Sequence, residues 1–374
     1  LANSAFSTGG SGTGTVTSVG IESDSLVVNN SPITNSGVID IELPGSLTGK
    51  NMILNGDMRV FQKGIPSGSG TNIQAIPPNT TTYCIDRFQI QTPPGVDVLI
   101  SQQPTSANNA GWFVTIQRSE FNAGVGDIKF CTSLTRDMCL EAAGKQATIS
   151  VKLRAGGNYS AAGGILNLKL VSGEDATDIS VLSGFTNAVN VIDEDCVIVP
   201  GGTFTFTSSV ITANMTQLAA VCTFSCLGIA GGDDSFSIEE FKIEVGDKAT
   251  PFLSSPNAEV LPKLLYFRYI PKCTVPQIFG TGFAINNING NVWIPFHTAM
   301  RVPPILTVDT VPGHYYIMNG NGNQAGNVTN IAQIATTING CRVHVTTTGG
   351  LTVGQGTMLA ALSPTFLDFN AELV

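Results

Sequence analysis

The side chains that could do chemistry in this chain are few and scattered. Three histidines, His297, His314 and His344, lack the spacing of a metal-ligand set. Eight cysteines (Cys84, Cys131, Cys139, Cys196, Cys222, Cys226, Cys273 and Cys341) contain no C-x-x-C pair. They read as buried free thiols of a protein made in a reducing cytoplasm, not as zinc ligands or a disulfide framework. There is no G-x-S-x-G elbow, no P-loop and no G-x-G-x-x-G between a strand and a helix. Glycoside cleavage needs two positioned carboxylates. The acidic neighbours are Asp233, Asp234, Glu239 and Glu240. Asp233-Asp234 follows Gly231-Gly232 and reads as a solvated turn. No enzymatic activity is expected.

Sugar recognition asks for less: an aromatic face for the apolar side of a pyranose, and amides or carboxylates for its hydroxyls. Trp112, in Gly-Trp-Phe-Val, reads either as such a platform or as a core tryptophan. Tyr159 stands between glycine-rich turns and is expected at the surface. His314, Tyr315 and Tyr316 follow the Pro312-Gly313 turn, and a polar loop is expected at Asn319 to Asn330. Its Asn319, Asn321, Asn323 and Gln324 could serve hydroxyls, although Asn-Gly runs also make idle turns.

These residues must be held by strands. Only 12% of residues are charged, while glycine occurs 41 times and Thr, Val and Ile recur in short runs. That composition predicts an all-β chain of many strands and tight turns. Residues 1–50 carry two or three short strands, Thr15 to Ile21 and Val38 to Leu43 among them, too few to bury a core alone. Residues 51–256 show period-two alternation at Ile149/Val151/Leu153, Leu166/Leu168/Leu170 and Phe241/Ile243/Val245, separated by Gly-Gly turns, which predicts a jelly-roll β-sandwich. Residues 257–374 begin with a short helix within Glu259 to Tyr269. A β-sandwich or barrel-like domain follows, with strands at Val292–Phe296, Ile305–Val308, Cys341–Thr346 and Thr357–Leu362.

A net charge of −9 without a basic cluster argues against a nucleic-acid partner. No stretch has the apolar length of a membrane span, and residues 1–15 lack the pattern of a secretory leader. Low charge combined with a positive mean hydropathy points to large subunit contacts.

Five motifs then occur in a fixed order. Asn51-Met-Ile-Leu-Asn-Gly-Asp-Met-Arg-Val-Phe-Gln-Lys-Gly64 resembles the N-L-L-x-N-G-D-F-x-V-x-Q-R-G opening of a family of phage and prophage tail-fibre or virion structural proteins. Tyr83-Cys-Ile-Asp-Arg-Phe88 resembles that family's Y-x-x-D-R-W. Phe241-Lys-Ile-Glu-Val-Gly-Asp-Lys-Ala-Thr-Pro-Phe252 resembles its closing Q-L-E-x-G-x-x-A-T-P-F. Tyr266-Phe-Arg-Tyr269 and Asn370-Ala-Glu-Leu373 resemble the C-Q-R-Y-Y and A-E-L that come later. Phe88 stands where the family has Trp, Met58 where it has Phe, and Leu265 where a Cys is common. Upstream, Gly14-Thr-Val-Thr-Ser-Val-Gly20 resembles fibre-shaft repeats.

The resemblance implies a jelly-roll module of carbohydrate-binding type in a virion fibre or appendage. Because fibres are usually threefold and low charge points to large subunit contacts, a homotrimer is expected, joined to other virion proteins through residues 1–50, with any host-surface glycan met by the C-terminal domain, the part farthest from that attachment. Such modules often hold a structural Ca²⁺ between their first and last strands, for which Asp57 and Glu239 are the candidates; no other cofactor is implied. The alternatives are a glycan-active hydrolytic enzyme and a secreted carbohydrate-binding protein.

Overall fold

In the computed structural model, the described residues are 27–29, 40–42, 50–66, 71–105, 111–273, 278–308, 313–320, 322–361 and 365–373. The expected strand at Thr15 to Ile21, and Asn321, lie outside them. The chain divides into two compact units, Leu1–Lys50 and Asn51–Val374. In the first, β1 (Val27–Asn29) and β2 (Asp40–Glu42) pair antiparallel.

The second unit begins with a β-sandwich of jelly-roll type. Its strands are β3 (Ile65–Pro66), β4 (Asn72–Ile76), β5 (Thr81–Tyr83), β6 (Gln89–Gln91), β7 (Val98–Pro104), β8 (Trp112–Arg118), β9 (Gly126–Ser133), β10 (Ala147–Ala155), β11 (Ile165–Gly173), β12 (Val189–Val197), β13 (Gly202–Thr207), β14 (Gln217–Cys226) and β15 (Ser235–Val245). Among the described residues they form a seven-stranded sheet, β13-β10-β15-β8-β7-β4-β3, and a six-stranded sheet, β12-β11-β14-β9-β6-β5. The alternation read from the sequence sets the faces. Ile149, Val151 and Leu153 of one sheet meet Leu166, Leu168 and Leu170 of the other in one core. At about 1.5–3 kcal/mol for each large aliphatic or aromatic side chain fully buried, this core is the main stabilising term.

A helix, Asn257–Leu265, follows. The remaining strands are β16 (Arg268–Tyr269), β17 (Lys272–Cys273), β18 (Ile278–Ala284), β19 (Asn289–Pro295), β20 (Ile305–Val308), β21 (Tyr315–Asn319), β22 (Gln324–Thr337), β23 (Gly340–Thr347), β24 (Gly356–Ala361) and β25 (Thr365–Asn370). β18-β19-β23-β22-β21-β24 close into a barrel, and β25 pairs with β16, β17 and β20 beside it. The fold is all-β, as the sequence predicts. One expectation fails here: Asn319 to Asn330 is not a loop throughout, because Asn319 ends β21 and Gln324 begins a 14-residue strand. Ladder bonds to β21 and β23 hold that strand despite its Asn and Gly content.

The motifs of the opening residues and of the chain's end meet at a buried seam between sandwich and barrel. Asn55 takes a left-handed conformation (φ 62°), and its side chain both donates to and accepts from the Val60 backbone at 2.8 Å. Gly56 is required because an added Cβ would lie 2.1 Å from the Phe241 carbonyl oxygen. Arg87 does not pair with its neighbour Asp86, as adjacency suggests; it pairs with Glu372, donates to the Ser133 carbonyl at 2.7 Å and lies 3.8 Å above the Phe267 ring. Tyr83 donates its hydroxyl to the Leu373 carbonyl, 290 residues away in sequence. Arg268 grips Asp368 through Nε and Nη2. Gln62 bridges the two parts by donating to Asp86 and to the Arg268 carbonyl and by accepting from Ile270 N–H. In the A-T-P-F motif, Thr250 and Pro251 fold back over the buried Lys242–Glu244 pair, their carbonyls taking the Lys242 ammonium at 3.1 and 3.3 Å.

Burial pushes the Asp86 carboxyl up to about 6, against the opposing effect of the Gln62 hydrogen bonds. A raised carboxyl pKa means the fold favours the protonated form. Its contribution is therefore full below the unfolded value near 4 and lost as pH rises through about 6. Relative to Asp86→Asn, the wild type should lose about 2–3 kcal/mol of unfolding free energy between roughly pH 4 and pH 7. Urea denaturation of both proteins across that range checks this; parallel curves would show that Asp86 stays ionised in the seam.

Candidate functional site

The six-stranded sheet has one face in the core. Part of its other face is covered where Ile179, Val181, Leu182 and Phe185 pack over Cys131, Val171, Ala219 and Val221. Beyond that cover the face is open and polar. One line of cross-strand partners runs Asp195, Asn167, Thr223, Lys129, Gln91, Thr81, one residue from each strand. All six are exposed or half-buried. The strands alternate, so residues two apart join the same face: Asp193 and Lys169 on one side of the line, Ser225 and Asp127 on the other.

Hydrogen bonds hold this surface in place. Asn167 donates to Asp193 and Asp195, each at 3.0 Å, and its own Oδ1 is buried without a partner. Lys169 pairs with Asp193 at 2.9 Å, and these donors hold the Asp193 carboxyl below the usual range. Ser225 donates to Asp127 at 2.7 Å and Gln91 to Thr81 at 3.2 Å. Lys129, at the centre, makes no ion pair among the described residues. The line ends in a cleft of about 470 Å³ between Asn79, Thr81, Gln91, Thr92, Pro93, Pro94, Gly126, Asp127 and Lys129. Ligand pockets run to about 300–1,000 Å³, so the cleft has room for a sugar ring or two. Its amide, hydroxyl, ammonium and carboxylate groups suit a ligand rich in hydroxyls.

The residues singled out in the sequence lie elsewhere. Trp112 opens β8 in the seven-stranded sheet, half-buried opposite Pro104. Tyr159 is not a surface platform: its ring stacks on Phe224 at 4.5 Å and its hydroxyl donates to the Ile165 carbonyl at 2.9 Å. Tyr315 and Tyr316 are 3% and 9% exposed, so neither offers a ring face to a sugar. Tyr315 is drawn inward because it lines the barrel core and donates to the Phe366 carbonyl. His314 is half-buried beside them. Asn319 accepts from the Asn323 N–H at 3.0 Å, closing the turn, and Gln324 donates to Asn327 at 2.6 Å.

Asp57 and Glu239 are both occupied by cations of the chain. Asp57 pairs with Arg59 at 3.2 Å and accepts from Ser254; Glu239 pairs with Lys152 at 2.8 Å and Arg154 at 3.2 Å. Among the described residues, no group of three or more His, Cys, Asp or Glu could hold a metal ion. The seven described cysteine side chains are buried and free, and burial pushes the Cys84, Cys139 and Cys196 thiols up to about 12.

No family model and no curated protein sequence matches the chain. Similar solved structures include a CBM4 structure (11% identity, 51% of this chain and 98% of that one, TM-score 0.29). Another is the C-terminal family 22 carbohydrate binding module of Clostridium thermocellum Xyn10B (11%, 45% and 90%, TM-score 0.29). A third is the CBM22-1–CBM22-2 tandem domain of Paenibacillus barcinonensis Xyn10C (11%, 87% and 98%, TM-score 0.28). At such scores the likeness carries no argument about what this chain binds.

Proposed function

We propose that this chain is a non-catalytic subunit of a bacteriophage fibre or appendage, made in the host cytoplasm, whose sandwich binds host-surface glycan along the open face of its six-stranded sheet. The observation that carries the glycan reading is the in-register polar line leading into the cleft at Asn79 and Lys129. A flat row of fixed donors and acceptors suits a chain of sugar rings lying across the strands. The virion reading rests on the five motifs and on their use: four of them meet in the seam between sandwich and barrel, and the fifth folds over the buried Lys242–Glu244 pair, which together stiffen one unit, as a load-carrying subunit requires. Large apolar side chains in the open, such as Phe121 at 77%, Ile229 at 71% and Ile305 at 71%, favour a homotrimer that covers some of them. Residues 1–50 then serve attachment to other virion proteins.

The test is a glycan array with the full chain, followed by Lys129→Ala and Gln91→Ala. The wild type should retain at least one oligosaccharide class, and each variant should bind it roughly tenfold more weakly. Both side chains are off the core, so melting should stay within about 0.5 kcal/mol of wild type. An array without binding, or variants that bind like wild type, would leave an architectural role alone.

A further inference from the structure

The barrel carries a second surface of a different kind. On β19, Val292 and Ile294 are fully buried, so Trp293 between them points out and is 43% exposed. Its cross-strand partners are Thr281 and Arg342. The next row on the same face is Phe283, Asn291 and His344, with Phe283 53% exposed. Two aromatics, an amide, an imidazole and a guanidinium thus share a patch on three adjacent strands.

Four features make the patch fit for a ligand. Gly340 lies under the indole: a Cβ there would be 2.2 Å from Trp293 Cζ2 and 2.8 Å from Cε2, so the ring rests on bare backbone. The flanking positions in register are small or slim, Ala332 and Ala335 on β22 and Gly356 and Met358 on β24, so little shadows the rings. Asn291 and His344 hold each other at 3.3 Å and are half-buried, which fixes their polar edges beside the rings. Arg342 is exposed and makes no ion pair among the described residues, and no carboxylate stands in the two rows or their flanks. In a chain of net charge −9, that is a local positive site without its own counter-ion.

We infer that this patch binds an acidic saccharide, a pyranose bearing a carboxylate. Its apolar ring face stacks on Trp293 and Phe283, its carboxylate takes the planar donor fork of Arg342, and its hydroxyls meet Asn291 and His344. The site is separate from the sheet face of the sandwich and survives or fails independently of it.

The chain has two tryptophans, so Trp112→Phe leaves Trp293 as the sole indole reporter. In that full-length variant, titration with an oligo-uronate up to about 10 mM should change Trp293 emission saturably, and the matching neutral oligosaccharide should bind roughly tenfold more weakly or worse. Adding Arg342→Ala should bring the uronate down to the neutral sugar's affinity. In the otherwise native chain, Trp293→Ala should abolish the calorimetric signal while Lys129→Ala leaves it intact. Equal binding of acidic and neutral sugars, or no emission change with either, overturns the inference. So does a Trp293→Ala protein of lower oligomeric state, which would make the patch a contact between copies.

Discussion

Replacing Asp234 by alanine should lower the stability of the sandwich by about 3–5 kcal/mol, the usual effect of stripping one partner from a buried ion pair. At roughly 2–4 °C per kcal/mol for domains of this size, Tm should fall by about 6 °C or more. Among the described residues Arg118 is the largest fully buried side chain, and Asp234 is equally inaccessible, at 2.5 Å from it. The guanidinium also donates to the carbonyls of Asn122 (3.0 Å), Gly124 (2.6 Å) and Gly228 (2.9 Å) and to Ser160 Oγ (3.2 Å). Asp234 uses its other oxygen on the Ser160 N–H at 2.8 Å. One ion pair therefore ties together the loops before β9, before β11 and before β15. This separates it from ion pairs that can be swapped for apolar residues without loss. Arg118→Met with Asp234→Leu removes both charges yet orphans the Gly124 and Gly228 carbonyls, at about 1–3 kcal/mol for each that stays buried, while the Asn122 carbonyl keeps the Ala230 N–H. The double variant should remain clearly destabilised in thermal melts. If it recovers wild-type Tm, the pair is an isolated charge contact and the loops hold themselves.

Asp234 also marks the limit of what the sequence disclosed. Gly-Gly-Asp-Asp reads as a solvated turn, and for Asp233 that is right: it is exposed and accepts from the Gly157 N–H at 2.7 Å. Nothing local says that the next carboxylate faces an arginine 116 residues earlier. The sandwich strands were legible because alternation is a local property; Ile149, Val151 and Leu153 are buried to 0–1%. The long strand Gln324–Thr337 was hidden because bulges at Val328/Asn330 and Gln333/Ala335 break its period. Its buried Val328 and Ile331 consequently stand three apart, not two. The polar line on the six-stranded sheet was beyond reach for another reason: its strands neighbour each other in the order β12-β11-β14-β9-β6-β5, so the line exists only once the topology is known. Trp293 was within reach. It falls between two aliphatic residues in a strand the sequence predicts, and that alternation alone puts its indole outside.

Glu372→Ala should have the second large effect, and it should split one unfolding event into two. Glu372 and Arg87 are both about 2% exposed and pair across the seam between sandwich and barrel. Without the carboxylate, the guanidinium keeps the Ser133 carbonyl and the Phe267 ring but has no counter-ion in a buried site, an effect of about 3–5 kcal/mol. The sandwich and the barrel each have their own core, so the seam is where their cooperativity resides. Differential scanning calorimetry should show a single transition for wild type and two for Glu372→Ala, the barrel melting first because it has the smaller core. A second readout follows from charge. Glu372 helps raise the Asp86 carboxyl, as one like charge near another. Removing it should lower the Asp86 pKa, so the loss of stability with rising pH, which still begins near the unfolded value, should be smaller and end at a lower pH in the variant. A cavity or packing defect would lower Tm without moving that pH. An unchanged single transition, with an unmoved pH dependence, would show that the other contacts, such as Tyr83 on the Leu373 carbonyl and Arg268 on Asp368, hold the seam without the Arg87–Glu372 charges.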